Sequence, residues 1–407
     1  MSDIDLIRST QTIRDRCHQL YQVGLKGGLS HFRVKSEKIS DVANFVIQVS
    51  KENYPDGNIP YHSRWGHFQV GGQDRIGWLK KHCAPMRQDE ISKARMFYDL
   101  VVPSILLDAG AGMKWQYTDS KAVTYNKSEG LAVASFDMFA DGLFSSDPKL
   151  ALQSDAVALQ RMQVDVLTNG FQASASNPLV AVEGRLLLLK NLGKALTNPT
   201  YFGGPAAGTV GSLVDYLLAT YGAQSIRATD ILATVLNAFG SIWPGRIEID
   251  NTNLGDVWRH SLIGGSGPTQ NLVPFHKLSQ WMTYSLLEPL EWAGIKITNV
   301  EDMTGLPEYR NGGLLLDMGV LETINPAALD KEYFPGDEFV VEWRALTVAI
   351  LDEIGNEVRK SLGKTMAELP LAKVLQGGTW AAGRQVALKL RADGGSPVKL
   401  NSDGTVF

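Results

Sequence analysis

The sequence predicts an all-α protein with a compact multi-helix globular fold. Three observations carry this expectation. Apolar residues recur at three- and four-residue spacing through much of the chain. Capping residues and prolines stand ahead of several of those runs. No strand–helix alternation of the kind that builds a doubly wound sheet is present. In chain order the periodic stretches are 38–53 and 88–101, then 148–167, 178–196 and 209–239, then 274–293 and 338–362. Helix starts are expected at Ser128 ahead of Leu131, at Asp147-Pro148, at Asn177-Pro178 and at Thr209. The last two stretches are long and punctuated at both ends. Strand signals are confined to Ile247–Ile249, and Val398–Phe407 reads as a frayed tail. The expectation is one predominantly helical unit over 1–407, with an N-terminal lobe 1–250 and a C-terminal lobe 251–390.

Composition narrows the function classes. The chain has 407 residues, 44% hydrophobic and 20% charged, enough to bury a large core. A net charge of −4 does not suit a nucleic-acid partner. Cys17 and Cys83 stand alone without metal-type spacing, which argues against a disulfide framework. The polar N-terminus is unlike a signal peptide, and no run of eighteen apolar residues predicts a membrane span. A cytoplasmic protein without a membrane partner follows as an expectation.

The segment Met303–Leu321 is the most informative for function. It crowds Glu308, Tyr309, Arg310 and Asn311 into a short polar turn that Gly312 and Gly313 close before an apolar run. Four such groups cannot all be buried without partners, so the stretch reads either as a binding or catalytic loop or as a solvated turn after Pro307. His62-Ser-Arg64-Trp65-Gly-His67 sets two histidines five apart around an arginine and a tryptophan. That spacing is poor for a metal pair, and an arginine beside an aromatic ring suits an anionic or sugar ligand. Asp108 follows the apolar run Ile105–Leu107 and precedes Gly110 and Gly112; a carboxylate there opposes a helix dipole and calls for an arginine or a ligand hydroxyl. Glu129, by contrast, suits a first helical turn and needs no function.

Two further stretches are candidates. Gly203-Gly-Pro-Ala-Ala-Gly208-Thr209 resembles half of a phosphate-binding loop but lacks the lysine and the preceding strand, leaving at most a single phosphate on helix amides. Val273–Trp281 opens a helix with Pro274 near its first turn. It sets His276, Gln280 and Thr283 on one face and Lys277, Trp281, Tyr284 and Glu288 on the next. Such a polar-aromatic stripe is either a pocket wall or a buried hydrogen-bond network. Asp256, just upstream with Trp258 and His260, offers another carboxylate, with the glycine-rich loop 264–267 as a hinge.

Several phrases carry a resemblance spread over most of the chain. Pro103-Ser-Ile-Leu-Leu-Asp108, Ser128-Glu-Gly-Leu-Ala-Val-Ala-Ser-Phe136, Leu254-Gly-Asp-Val-Trp258, Val273–Trp281 and Gly305-Leu-Pro-Glu-Tyr-Arg-Asn-Gly-Gly313 resemble the uracil-catabolism family of the URC pathway. These phrases match its fourth protein, long filed as a domain of unknown function. The resemblance implies a step in a route that opens uracil to a ribosylurea-type intermediate. The C-terminal third also resembles the queuosine-salvage nucleoside glycosylases, which are related to helical DNA glycosylases. His276-Lys277-Leu-Ser-Gln280, Pro307-Glu308-Tyr309-Arg310, Met318-Gly-Val-Leu321 and Glu342-Trp-Arg344-Ala345 stand where that family has its recurrent phrases, in order and at similar spacing. Glu308 replaces the family's aspartate and is one methylene longer.

Together the resemblances imply hydrolysis of an N-ribosidic bond in a ribosylurea-type compound or its phosphate, releasing urea and ribose or its phosphate. Such a reaction builds oxocarbenium character on the sugar. Glu308 is expected to stabilise that charge or align water, and His276 or Asp317 to protonate the leaving urea. Tyr309 and Arg310 are expected to position the substrate, Lys277 to orient Glu308 or contact a sugar phosphate, Asp108 or Asp256 to hold ribose hydroxyls, and Arg64, His62, His67 and Trp281 to complete the pocket. The partner is a small ribosyl compound; no cofactor and no metal are expected. A metal-dependent ureido amidohydrolase using His62, His67, His260 and Asp256, or a non-catalytic binding protein of the pathway, are the alternatives.

Overall fold

Residues 338–362 behave as the sequence predicts, and the rest of the protein is arranged around them. The computed structural model describes residues 2–83, 89–108, 110–112, 114–204 and 206–401. Its helices are α1 (Asp3–Arg8), α2 (Thr10–Leu25), α3 (Ile39–Asn53), α4 (Trp65–Phe68), α5 (Arg75–His82), α6 (Glu90–Leu106), α7 (Lys127–Ala140), α8 (Ala156–Arg161) and α9 (Val164–Gly170). They continue with α10 (Val182–Ala195), α11 (Pro199–Phe202), α12 (Ser212–Tyr221), α13 (Ala228–Ala238), α14 (Lys277–Trp292), α15 (Tyr309–Asp317), α16 (Glu338–Leu362), α17 (Leu371–Val374) and α18 (Trp380–Leu390).

Helix α16 is buried on nearly every side from Phe339 to Leu351, and its two charged residues there, Glu342 and Arg344, are each held by a partner. Glu338 in its first turn and Arg359 and Lys360 in its last complement the helix dipole. Gly363, at φ 62°, lets the chain turn back so that the Lys364 amide reaches the Arg359 carbonyl. Helices α2, α3 and α15 pack on α16, while α14 packs on α6 and α13. The main core is continuous from Ile13 to Val398. Among the described residues no helix is long and apolar enough to cross a membrane.

Three predicted helices are shorter or broken. Over 209–239 the chain forms α12 and α13, separated by a strand at Ser225–Arg227 that pairs in parallel with Lys296–Thr298. Over 148–167 a short turn at Pro148–Leu150 precedes α8 and α9. Helix α10 starts at Val182, because Asn177 spends its amide group on the Gln116 backbone rather than on a helix cap. Thr209 bridges to Asp155, and α12 begins three residues later. The Ile247–Ile249 strand signal is realised as the two-residue strand Glu248–Ile249 paired with Thr252–Asn253. In the tail, Lys399–Leu400 pairs with Glu332–Tyr333, and residues 402–407 lie outside the described residues.

One ladder matters for the site. Strand Val257–Arg259 pairs antiparallel with Leu272–Pro274, so Pro274 belongs to a strand and not to the first turn of α14. The Asp256 carbonyl accepts the amides of Phe275 and His276, and His276 turns left-handed at φ 47°. The helix can then start only at Lys277, which brings Lys277 to its N-terminal end.

Candidate active site

Five chain segments meet in a cleft of about 360 Å³. They are His62 with His67 of α4, Asp108 and residues 110–112 with the start of α7, the start of α14, the start of α15, and α18 with the loop 393–395. The size suits one small molecule, and the walls mix aromatic rings with a few charged groups, the usual make-up of a ligand site. Glu308, Tyr309, Lys277, Asp108, His62, His67, Trp281 and Arg310 all line it.

Glu308 does not sit in an open turn. It is the N-cap of α15, and its two carboxylate oxygens accept the Arg310 and Asn311 amides at 2.7 and 2.6 Å. Burial pushes its carboxyl above the ordinary glutamate range, while the two amides and the Lys277 charge pull it back. A carboxylate gripped this way cannot swing, and its remaining lone pairs suit fixed charge stabilisation better than proton shuttling. Gly312 and Gly313 lie inside α15 rather than closing a turn. A Cβ on Gly312 would meet the Trp343 ring at 2.7 Å, so the glycine lets α15 settle on α16. Gly383 of α18 does the same from the other side, against the Arg310 carbonyl.

Lys277 is the matching charge. Burial lowers its affinity for a proton, partly offset by Glu308. Among the described residues its ammonium makes no hydrogen bond and no ion pair within 4.0 Å. Its backbone is fixed from behind: Asp256 accepts the Lys277 amide at 3.0 Å and the Trp258 indole at 2.7 Å. Arg344 grips the same carboxylate at 2.8 and 2.7 Å and lies 4.1 Å from the Phe275 ring centre. This pairing holds the Asp256 carboxyl far below the ordinary range. Asp256 is therefore outside the cleft and supports Lys277 instead of touching a ligand hydroxyl.

The two histidines line the far wall as neutral rings. Gln376 donates to the Tyr54 hydroxyl at 2.8 Å, which presents its carbonyl oxygen to His62 Nδ1 at 3.0 Å. His62 Nδ1 is then the donor and Nε2 the acceptor, and burial drops its pKa to about 4. His67 is pushed well below the usual imidazole range by burial and by Arg64. It packs edge-on against Trp281 and Trp380, with ring centres 6.1 and 6.3 Å away. Asp108, also in the lining, pairs with the fully buried Arg64 at 2.8 Å and takes the Ser128 hydroxyl. The partner that a carboxylate at a helix end called for is thus an arginine. Arg64 lies beneath the cleft surface, spanning Ser104 and the Ser128 carbonyl.

Two expected acids are not brought into the cleft. His276 turns away and donates from Nε2 to the Ile7 carbonyl at 3.1 Å. Asp317, at the far end of α15, is clamped by Arg391 at 2.8 and 2.5 Å. His276 is expected on a helical face with Gln280 and Thr283, but it precedes the helix in a left-handed conformation that sends its ring toward Ile7. The metal-ligand set considered for the rival reaction is not assembled either. His260 is buried against Glu342, Asp256 is held by Arg344, and among the described residues no group of three or more His, Cys, Asp or Glu is placed to hold an ion. After the glycine-rich stretch that begins at Gly203, the amides that could hold a phosphate are taken: Thr209 donates to the Ala206 carbonyl, Val210 to the Ser154 carbonyl and Gly211 to Asp99.

Sequence reading missed Lys127, Trp380, Arg384 and Gln376. Trp380 and Arg384 fall at i and i+4 on one helical face, a pattern that offered a signal. Gln376 sits in a π-helical turn at Leu375–Thr379, whose pattern no local periodicity announces.

The cleft thus sets the Glu308 carboxylate, fixed by two amides, and the Lys277 ammonium on one helical scaffold. The chain belongs to the family described as protein of unknown function (DUF1688), whose model matches residues 6–407. It is similar to "Protein urg3" of Schizosaccharomyces pombe, 39% identical over 404 residues and 98% of each chain. It is also similar to "Uracil catabolism protein 4" of Lachancea kluyveri, 37% identical over 438 residues and 99% of each chain.

Proposed function

We propose that this protein serves uracil catabolism by hydrolysing the N-ribosidic bond of a ribosylurea-type compound. The pathway assignment rests on the relative named for uracil catabolism, which matches this chain along its whole length. The chemistry rests on one observation: the Glu308 carboxylate, locked by two backbone amides, shares a cleft with the unpaired ammonium of Lys277. Hydrolysis needs a fixed negative charge for the oxocarbenium-like carbon and a proton for the departing nitrogen.

Glu308 supplies the negative charge at C1 of the ribose. Lys277 takes the donor role once expected of His276 or Asp317. As the C1–N bond breaks, its electron pair passes to the ureido nitrogen, which takes a proton from Lys277. Water adds to C1, and the proton it releases restores Lys277. His62, with Nδ1 tied to Gln376, offers Nε2 as an acceptor that orients either the water or the urea NH2 group. Asp108, held by Arg64 and Ser128, accepts a ribose hydroxyl. The test is direct: incubate the protein with ribosylurea, its 5′-phosphate and uridine, and follow free urea, ribose and uracil. Release of urea together with ribose or ribose 5-phosphate is the expected result. Binding without turnover of any of the three would overturn the catalytic reading.

A further inference from the structure

The mechanism above uses the floor of the cleft and leaves its rim unexplained. There Lys127, Arg310 and Arg384 line the same end, beside Asp393, Gly394 and Gly395. Three cations in one place repel one another, and the proton affinity of Lys127 is depressed by burial and then by Arg310 and Arg384. The acids present offset them only in part: Asp393 pulls the Lys127 proton affinity back, less than the burial and the two guanidiniums lower it. Glu129 meets Arg384 only at 3.5 Å, with both side chains substantially exposed, an arrangement worth little in water. Asp393 spends one oxygen on the Gly395 amide. Among the described residues the Lys127 ammonium has no hydrogen bond and no ion pair.

Two further features lie at the same end. Arg310 is only 7% exposed and anchored through Nη1 to the Gly394 carbonyl, yet its buried Nε has no partner. Helix α7, fourteen residues long, begins at Lys127 without a side-chain cap from Asn126. Its first-turn amides and positive dipole end therefore join the cations.

We propose that this rim is a phosphate subsite and that the substrate is a 5′-phosphorylated ribosyl compound. The inference rests on the glycosidase reading for the position of the sugar. Arg310 follows Glu308 by two residues, so a sugar with C1 at Glu308 has its distal substituent within reach of Arg310 and Lys127. A guanidinium fork, an ammonium and free helix amides match a tetrahedral oxyanion better than a planar carboxylate.

The experiment measures binding of ribose 5-phosphate, ribose and inorganic phosphate to the intact protein by calorimetry, and in parallel the kinetics of ribosylurea and its 5′-phosphate. Ribose 5-phosphate should bind well and ribose poorly. K127Q and R384Q should each weaken ribose 5-phosphate by about tenfold or more, the scale of one charge-assisted contact, and raise KM for the phosphorylated substrate only. Both residues are exposed at the rim, and a thermal melt of each variant checks folding. Equal binding of ribose and ribose 5-phosphate, or unchanged affinity in both variants, would overturn the subsite. The two readings fail separately. Variant-sensitive ribose 5-phosphate binding without any turnover would leave the subsite standing and remove the hydrolase. Urea release that ignores the phosphate would do the reverse.

Discussion

Replacing Glu308 separates chemistry from architecture, because this side chain has two tasks. On the proposed reading it is a fixed charge beside the reacting carbon and contributes the scale of one preorganised electrostatic contact, about a hundredfold or more in rate. As the N-cap of α15 it satisfies two amides at 2.7 and 2.6 Å. Losing a cap costs about 0.5–2 kcal/mol. Glu308→Gln keeps the size but turns an NH2 group toward one of those amides, so it should lose both rate and about 1–2 kcal/mol of stability. Glu308→Ser keeps a good capping group and removes the charge, so stability should be largely retained while turnover still falls at least a hundredfold. Glu308→Asp keeps charge and cap but withdraws the carboxylate by one methylene, giving an intermediate rate. The assay is urea release per folded molecule, with the folded fraction taken from urea denaturation. A folded Glu308→Ser protein with full turnover would refute the role in charge stabilisation.

The remaining predictions use other parts of the site. Because burial raises Glu308 above its ordinary 4.5 and lowers Lys277 below its ordinary 10.5, kcat/KM should be bell-shaped. The acid limb belongs to protonation of the carboxylate and the alkaline limb to loss of the ammonium, the two values belonging to the coupled pair. Lys277→Met should abolish the alkaline limb along with most of the rate, and a profile unchanged in shape would count against the pairing. Asp256→Asn removes the charge of the carboxylate that grips buried Arg344 through two hydrogen bonds, so denaturant melts should show a loss of about 3–5 kcal/mol. Asp317→Asn should lower stability through the lost Arg391 clamp while turnover per folded molecule stays unchanged; a selective fall in kcat would return Asp317 to the chemistry. Gly383→Ala places a Cβ 2.4 Å from the Arg310 carbonyl, so α18 must shift, and both melting temperature and substrate affinity should drop.

What the sequence revealed follows from the range over which each signal acts. Helix α16 was legible to its last residue because its apolar surround, acidic start and glycine stop are all local. The break between α12 and α13 was not, since it depends on Ser225–Arg227 finding a strand some seventy residues away. In the site, Glu308, Tyr309 and Arg310 could be singled out because they are contiguous. That Glu308 caps a helix was hidden by the two glycines, which look like turn residues until the close approaches of Trp343 and Gly383 are seen. His62 was visible as a candidate, but its tautomer depends on Gln376, 314 positions further along. Lys127 carried no local mark, because the cations gathered around it, Arg310 and Arg384, come from distant parts of the chain.

The span between His62 and Gln376 also bears on how the protein comes to be active. The cleft takes one wall from residues 62–67, another from 108–131, and the rest from beyond residue 276. A chain emerging from the ribosome therefore cannot bind its ligand until nearly all of it has been made and the ends have docked. Contacts of such sequence separation close late and slowly. A compound that fills the cleft favours only the fully docked state and draws the population toward it by mass action. Such a compound would act as a folding ligand: its scarcity would leave more of the chain incompletely closed, and its abundance would favour the docked state.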